Sequence, residues 1–306
     1  MKAPVVRVCK QHRINRSFLQ LKGATSQTIE SLIRLLSVLR YWYPPLRDEH
    51  ESMRHVFCSG SSQITRANEG LLVNARITTA IEGLHGRLVV SCQAPPSHPL
   101  DDLETITRMA QAAEMGGAGG LRLAGADTVR QVLEVVKLPV IGIEKTYRLN
   151  DRPLITSTFE QCVQLAGAGA NIVAIEATIE SPHHNQFEDL VRRVHDELGI
   201  AVMADVSTLS EGLTAWESGA DLVGTTLAGY TSATKNDSLP AFELIAKLHG
   251  AGVRTVLEGH VQTPTDVAAG FSAGAWCVVA GKAITDPLDT TRRFARAAAL
   301  SGDSHP

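Results

Sequence analysis

The sequence predicts an α/β fold: a (β/α)8 barrel preceded by an N-terminal extension. After residue 84, strand-like and helix-like stretches alternate eight times, within the ~250 residues that such a barrel usually occupies. Glycine-alanine pairs recur before every second strand, and the 306-residue chain has room for a barrel and an appendage. A doubly wound open sheet is the alternative fold. That fold usually has about six strands and lacks a two-strand period.

Residues 1–83 do not share this alternation, so we predict that they form the extension and that residues 84–306 form the barrel. One amphipathic helix is predicted at 28–42, where prolines follow and end it. The extension is rich in Lys and Arg, although the whole chain has a net charge of −3. Three interpretations stay open: a docking or regulatory arm, a basic segment that contacts an anionic surface, and an addition ahead of a native start near Met53 or later.

The eight predicted strands are short apolar runs rich in Val and Ile, which is typical of strands buried on both faces. They comprise residues 88–93, 119–124, 140–145, 172–178, 201–207, 222–227, 254–259 and 276–281. Apolar residues spaced three and four apart predict helices at 103–115, 128–136, 159–166, 187–198 and 242–248. The glycine of each glycine-alanine pair supplies a left-handed helix end before the next strand, at Gly117, Gly169, Gly219 and Gly274.

Composition excludes several classes of protein. Hydrophobic residues make up 44% of the chain and charged residues 20%, which is ordinary for a globular protein. No apolar run approaches the ~20 residues of a membrane-spanning helix, and no secretory signal is evident. The five cysteines are scattered and odd in number, so we expect reduced thiols in the cytoplasm. Neither a membrane nor a nucleic acid is an expected partner.

Polar side chains end several of the apolar strands. If Lys145 points into the barrel with Ile141 and Ile143, two-residue alternation directs other polar side chains toward the carboxyl-terminal mouth, where barrels bind ligands. These residues are Gln93, Arg122, Glu176, Asp205 and Glu258. The alternative interpretation is that these polar side chains form structural salt bridges and bind no ligand. Burying such groups unpaired in the barrel would cost several kcal/mol each.

Lys145 and Glu258 stand at the carboxyl ends of the third and seventh predicted strands, which lie opposite each other in an eight-stranded ring. The pair suits inversion at a carbon acid, because one group removes a proton from one face and the other returns a proton to the opposite face. Lys145 must be neutral to act as the base, and burial or nearby positive charge lowers a lysine pKa. Asp205 would oppose that shift and orient the ammonium form.

Glycines end the seventh and eighth strands and permit a ligand to approach the backbone closely. Gly259 precedes His260 and Gly281 precedes Lys282, with Pro287 near the start of a following helix. Barrels often bind phosphate at this place, so we predict a phosphate site. No metal-ligand spacing, P-loop or dinucleotide fingerprint occurs, so no metal and no cofactor is expected.

Eight short motifs lie at these strand ends. They are SCQA at 91–94, LRLA at 121–124, GIEK at 142–145, IEAT at 175–178, ADVS at 204–207, GTTLAGYT at 224–231, EG at 258–259 and GKAI at 281–284. In this order they resemble the N-acetylmannosamine-6-phosphate 2-epimerase family, over residues 84–298. The resemblance implies a barrel that interconverts N-acetylmannosamine 6-phosphate and N-acetylglucosamine 6-phosphate in sialic acid catabolism, without metal or nucleotide.

The resemblance also implies roles for the site residues. Lys145 and Glu258 would be the acid/base pair at C2 of an open-chain amino sugar phosphate, next to its aldehyde. The expected substrate-binding residues are Gln93, Arg122, Asp205, Thr226, Tyr230, Gly259, His260, Gly281 and Lys282. The first three would arrange the sugar and the catalytic groups, and the loops after the seventh and eighth strands would take the phosphate. A homodimer is the assembly we expect.

Four positions depart from the family's usual pattern. His260 and Asp286 stand where it usually has arginine, which lowers the positive charge near the expected phosphate, and Lys282 compensates in part. Glu176 stands where it usually has aspartate, and Glu144 where it usually has an apolar residue. Two alternatives therefore stay open: another phosphate-handling barrel, such as a metal-dependent pentulose-phosphate epimerase, and a degenerate barrel that binds a sugar phosphate without converting it.

Overall fold

A closed ring of eight parallel strands forms the centre of the computed structural model, which describes residues 73–148 and 152–302. The described strands are β1 (Leu88–Cys92), β2 (Gly120–Ala124), β3 (Val140–Ile143), β4 (Lys145–Thr146), β5 (Leu154–Ile155), β6 (Ile172–Glu176), β7 (Ala201–Asp205), β8 (Leu222–Gly224), β9 (Thr255–Leu257) and β10 (Cys277–Ala280). β4 and β5 form a separate antiparallel ribbon, which was not predicted. The other eight close into a barrel because β10 pairs with β1. The predicted (β/α)8 fold is confirmed.

Helices connect the strands along the outside of the ring. They comprise residues 73–82, Leu103–Met115, Ala126–Val135, Phe159–Gly167, Phe187–Arg193, Leu209–Glu217, Phe242–Gly250, Pro264–Ser272, Lys282–Thr285 and Pro287–Gly302. A 3₁₀ turn at His184–Gln186 and a π-helical turn at Val194–Leu198 flank the fifth of them. The five predicted barrel helices are present, and the helix predicted at 28–42 lies outside the described residues. Among the helices that the structure describes, none is both long and apolar enough to span a membrane.

Two of the unpredicted helices have weak apolar stripes because they contain many small and polar residues. These are Leu209–Glu217 and Pro264–Ser272. Each begins with a capping box, in which a Thr hydroxyl accepts a backbone N–H and an acidic side chain three residues later accepts the N–H of that Thr. The capping sequences were the local signal that could have predicted both helices.

Apolar side chains pack on both faces of the ring. Ile141 and Ile143 of β3 share a cluster inside the barrel with Met203 of β7. Leu121 of β2 points the other way and packs with the outer helices, for example against the cluster that contains Val129. The inward orientation predicted for Ile141 and Ile143 is therefore confirmed.

The helix over 73–82 packs against the amino-terminal end of the barrel, although it was predicted to belong to the extension. Ile81 is 4% exposed, Leu84 is fully buried, and both join the inner cluster. The indole N–H of Trp276 donates to the carbonyl of Ile81 at 3.0 Å. The division of the chain into an extension and a barrel at residue 83 stays a prediction.

The glycines before alternate strands adopt the conformation that the sequence predicts. Gly117, Gly169, Gly219 and Gly274 have φ angles of 91°, 105°, 95° and 100°. Such angles are open to glycine and strained for residues with a β-carbon. These glycines allow each preceding helix to end in a sharp turn before a barrel strand.

Candidate active site

A buried ion-pair network joins three strands below the carboxyl-terminal mouth of the barrel. Arg122 of β2 is 1% exposed, and its guanidinium donates to both carboxylate oxygens of Asp205, at 2.6 and 3.2 Å. Its Nη1 also lies 2.8 Å from Oε2 of Glu258. Burial lowers the pKa of Arg122, but the charges of Asp205 and Glu258 raise it above its ordinary value. Arg122 therefore stays charged and holds the two acidic side chains near each other.

The carboxylate of Asp205 orients two neighbouring side chains, those of Arg122 and Thr226. Asp205 is the last residue of β7 and is fully buried. Besides the guanidinium of Arg122, its carboxylate accepts the hydroxyl of Thr226 at 2.6 Å. Thr226, which was predicted to bind substrate, is thereby held at the end of β8.

Glu258 directly follows β9, and the hydroxyl of Thr225 fixes its backbone. That hydroxyl accepts the N–H of Glu258 at 3.2 Å and donates to its carbonyl at 2.9 Å. Burial raises the pKa of the Glu258 carboxyl to about 7; Arg122 opposes this rise and Asp205 adds to it. A carboxyl with such a pKa exchanges protons near neutral pH.

Lys145 stands on the β4–β5 ribbon and not in the ring. The prediction that it ends the third barrel strand is therefore corrected: β3 ends at Ile143, and Lys145 pairs with Ile155 of β5. Burial and then the charge of Arg122 lower the pKa of the Lys145 ammonium to about 8, while Glu258 opposes this effect. Lysine and glutamic acid side chains whose pKa values normally lie far apart thus titrate close together here.

Lys145 and Glu258 influence each other electrostatically and follow strands on opposite sides of the ring. β3 and β9 are the third and seventh strands of the ring and lie opposite each other. The charge of Glu258 raises the pKa of Lys145, and the charge of Lys145 lowers the pKa of Glu258. They therefore lie within electrostatic reach of each other, with Arg122 acting on both.

Four buried polar atoms of the predicted site residues have no hydrogen-bond partner among the described residues. They are Oε1 of Gln93, Nε of Arg122, Nε2 of His260 and Oε2 of Glu258, of which the last has only its ion pair with Arg122. The amide group of Gln93 donates to the hydroxyl of Ser91 at 2.8 Å, which fixes this side chain just after β1. Because buried polar groups are normally paired, a ligand with one donor and one acceptor would satisfy Oε1 of Gln93 and Nε of Arg122.

The loop after β9 contains two of the predicted substrate-binding residues, Gly259 and His260, and the second contacts a third, Tyr230. Gly259 has a φ angle of 95°, and a β-carbon there would lie 3.5 Å from the carbonyl oxygen of Thr226. His260 stacks on Tyr230, with ring centroids 5.1 Å apart. Burial, followed by the charge of Lys282, lowers the pKa of His260, which favours a neutral imidazole.

The loop after β10 brings Gly281 and Lys282 to the same side of the site. Lys282 begins the short helix Lys282–Thr285, whose Thr285 hydroxyl donates to the carbonyl of Ser91 at 2.9 Å. The charge of Lys282 lowers the pKa of both Lys145 and His260, so Lys282 lies near both. This loop can thus supply one cation to an anionic ligand.

Asp286 has specific partners at the edge of this loop. Its Oδ1 accepts the N–H of Asp289 at 2.9 Å, at the start of the helix Pro287–Gly302. The same oxygen lies 3.5 Å from Nε2 of His98. A helix N-terminus favours a nearby anion, so part of the negative charge of Asp286 is offset where it stands.

Sequence reasoning missed Arg152, the partner of a buried acid. Glu176 ends β6 and has a fully buried side chain, and Arg152 donates to both of its carboxylate oxygens, at 2.6 and 3.0 Å. A buried acid at a strand end signals that a cation lies close by, because an unpaired buried charge is costly. The pattern of the chain does not show which Lys or Arg that is.

Across residues 73–148 and 152–302, no group of three or more His, Cys, Asp or Glu side chains is placed to hold a metal ion.

Comparison with known proteins extends the resemblance found at the strand ends. Residues 106–299 match the family model described as "Putative N-acetylmannosamine-6-phosphate epimerase". A Clostridium perfringens protein named "Putative N-acetylmannosamine-6-phosphate 2-epimerase" is 37% identical over 216 residues, which is 70% of this chain and 97% of that relative. Relatives of the same name from Escherichia coli O157:H7 and Thermosynechococcus vestitus are 41% and 39% identical. Each match covers 66% of this chain, and the matches cover 86% and 89% of those two relatives.

A solved structure agrees with these relatives. The N-acetylmannosamine-6-phosphate 2-epimerase from Clostridium perfringens aligns with a TM-score of 0.67 at 36% identity. The alignment covers 71% of this chain and 95% of that one. Sequence, fold and extent of the match agree, and this chain belongs to the N-acetylmannosamine-6-phosphate 2-epimerase family.

Proposed function

We propose that this protein interconverts N-acetylmannosamine 6-phosphate and N-acetylglucosamine 6-phosphate, and that Lys145 and Glu258 exchange the proton at C2. The relatives' names state the substrate and the epimerised carbon. One observation supports the residue assignment above all: an ammonium and a carboxyl that follow opposite strands of the ring have pKa values of about 8 and about 7. Acid/base groups work best when their pKa lies near the working pH.

The chemistry needs the open-chain sugar, in which C2 lies beside the C1 aldehyde. A base removes the C2 proton, the C–H electron pair forms a C1–C2 double bond, and the aldehyde oxygen takes the negative charge. Return of a proton from the opposite face restores the aldehyde with C2 inverted. In one direction neutral Lys145 takes the proton and protonated Glu258 supplies the new one, and the reverse direction exchanges these roles.

The remaining groups would bind and orient the substrate. Nε of Arg122 is a buried donor without a partner among the residues that the structure describes, so we assign it to the developing oxyanion. Oε1 of Gln93 would accept the acetamido N–H. The Thr226 hydroxyl keeps Asp205 aligned on Arg122.

The phosphate would lie between the loops after β9 and β10. Close backbone approach at Gly259 and Gly281 would give it N–H donors, and Lys282 would give it a positive charge. The stacked pair of His260 and Tyr230 would form a side wall. The two departures from arginine leave Lys282 as the main cation of this pocket.

Proton NMR of the purified protein with N-acetylmannosamine 6-phosphate tests the function. We expect conversion to a mixture of the two epimers, and much slower conversion of N-acetylmannosamine, because the phosphate anchors the substrate for the step at C2. Binding of both sugar phosphates without conversion would overturn the proposal and favour the degenerate, binding-only barrel.

The rate of epimerisation should depend on pH as a bell-shaped curve with its maximum between about 7 and about 8. The reaction needs one proton on the pair in either direction, so acid supplies one too many and alkali removes the last one. Both directions should therefore share one optimum. Initial rates measured from pH 5 to 10 would check this, and a rate that keeps rising through pH 10 would contradict it.

Removing metal ions should leave the rate unchanged, because both proton transfers are assigned to side chains. The check is to treat the protein with EDTA, exchange the buffer, and measure the rate with and without added Mg²⁺, Mn²⁺ or Zn²⁺. A rate lost with EDTA and restored by one metal would favour the metal-dependent pentulose-phosphate type.

We also propose a cytoplasmic homodimer. Cys92, Cys162 and Cys277 are free and buried, as expected of a protein from a reducing compartment. Phe294 is 74% exposed and Ile284 is 52% exposed, and both lie on the last helices of the described chain. Large exposed apolar side chains of this kind suit a contact between subunits.

A further inference from the structure

We propose that Arg152 and Glu176 are positioning residues, whose ion pair fixes the β4–β5 ribbon and with it the side chain of Lys145. The inference rests on the proposed role of Lys145 as an acid/base group. It adds two residues that do not touch the substrate but determine where the lysine stands.

The ion pair has a single defined geometry. Nη2 of Arg152 donates to Oε1 of Glu176 at 2.6 Å, and Nη1 donates to Oε2 at 3.0 Å. Two parallel bonds between a guanidinium and a carboxylate restrict both distance and orientation. The hydroxyl of Thr178 also donates to Oε1, at 2.7 Å. The Glu176 side chain is fully buried and that of Arg152 is 15% exposed, so water competes little for these bonds.

The same carboxylate reaches the ribbon that carries Lys145. Oε2 of Glu176 accepts the backbone N–H of Ile155 at 3.3 Å. Ile155 is the residue paired with Lys145 across the ribbon, and its side chain joins the inner cluster of the barrel. A rigid barrel strand is thus linked through one carboxylate to the backbone beside the lysine.

A strained residue directly follows the ribbon, which indicates that contacts hold this end of the ribbon firmly. Thr156 has a φ angle of 33° and is 1% exposed. A β-branched residue rarely adopts a positive φ angle, and it does so only where contacts impose it. Thr156 donates its N–H to the carbonyl of Glu144 at 2.8 Å, and its hydroxyl accepts the N–H of Glu144 at 3.0 Å. Glu144, the residue before Lys145, is therefore anchored through both its N–H and its carbonyl.

Kinetics of a double variant, Arg152→Met with Glu176→Gln, test the inference. This variant removes both charges at once, so neither is left buried and unpaired. We expect kcat to fall about 10²-fold, the loss typical of a reacting group misplaced by ~1 Å. KM should change less than about twofold, because the pair is not a substrate contact. The matched control is Arg108→Met, since Arg108 pairs with Glu104 on the surface with its side chain 73% exposed.

The pH profile separates positioning from a general loss of stability. Burial is the main cause of the low pKa of Lys145, ahead of the charges of Arg122, Glu258, Lys282 and Asp205. A loosened ribbon should hydrate the lysine, raise its pKa and move the alkaline limb of the profile upward. Arg152→Lys keeps the charge without the two-point contact, so its kcat should lie between those of the wild type and the double variant.

Two kinetic results would overturn the inference. One is a folded double variant with normal kcat and an unmoved alkaline limb. The other is a raised KM with unchanged kcat, which would make Arg152 a substrate contact. Hydrogen exchange of the Ile155 amide provides a readout that does not require turnover, and it should be faster in the double variant. If the wild type shows no epimerisation at all, the proposed function fails, whereas unchanged exchange at Ile155 removes the positioning role alone.

Discussion

Replacing Lys145 by methionine is expected to lower the rate of epimerisation by about 10³-fold and to leave the fold intact. Methionine retains most of the length and the apolar stem of lysine but cannot take or give a proton. Glu258→Gln should cause a similar loss, because the amide keeps the shape of the acid without its proton chemistry. Rates followed by NMR and unfolding transitions followed by circular dichroism would measure the two effects.

The residual activity of these variants should reveal the two faces of the site. In each variant the remaining group still faces one side of C2, so it can exchange the C2 hydrogen of one epimer without inversion. Lys145→Met and Glu258→Gln should therefore differ in which epimer takes up solvent deuterium. Lys247→Met is the control, since Lys247 pairs with Glu243 on the surface with its side chain 54% exposed. Near-normal epimerisation in either site variant would refute the assignment.

Replacing Arg122 by methionine should have the largest effect on stability, lowering the free energy of unfolding by about 3–5 kcal/mol. Asp205 is fully buried and would lose its ion pair, the only one it makes among the described residues, and Glu258 would lose the charge that most opposes its raised pKa. Activity should fall as well, because the guanidinium is the donor assigned to the oxyanion. Urea unfolding monitored by fluorescence would give the change in stability.

Two comparisons make the Arg122 prediction specific. Arg130→Met should change stability by less than about 1 kcal/mol, because the partly exposed pair of Arg130 and Asp127 lies on the surface. Arg122→Met combined with Asp205→Asn should recover part of the lost stability, since the carboxylate of Asp205 is no longer buried without a cation, but it should not recover activity. Equal stability of Arg122→Met and the wild type would show that the ion-pair network is not a structural centre of the barrel.

The barrel could be predicted because its signals are local and repeat along the chain. Apolar runs of strand length, helical spacing and the glycines at Gly117, Gly169, Gly219 and Gly274 each report on a few neighbouring residues. The boundary at the end of β3 was harder to predict. Val140–Ile143 pairs within the ring and Lys145–Thr146 pairs outside it, and both stretches have strand character. Where β3 ends is decided by the strands it pairs with, and these lie elsewhere along the chain.

The alternation of side chains along a strand predicted part of the site. The two-residue alternation directed Arg122, Asp205 and Glu258 toward one mouth, and Arg122 pairs with both acids there. Lys145 lies on the β4–β5 ribbon, so its place does not follow from that alternation. The alternation could not show that the long side chain of Arg122 reaches both acids, because that contact depends on strand order around the ring. Nor could it find Arg152, whose loop position follows no periodic pattern and whose partner Glu176 is 24 residues away along the chain.

Solvent deuterium at C2 is the most direct measurement of proton transfer between two faces. With the wild-type protein and N-acetylmannosamine 6-phosphate in heavy water, the first product formed should carry one deuterium at C2, while the remaining substrate gains it more slowly. Lys145 and Glu258 on opposite faces require this, because the proton removed and the proton returned come from different groups. Product that carries the original hydrogen at C2, and no deuterium, would contradict proton exchange by these two groups.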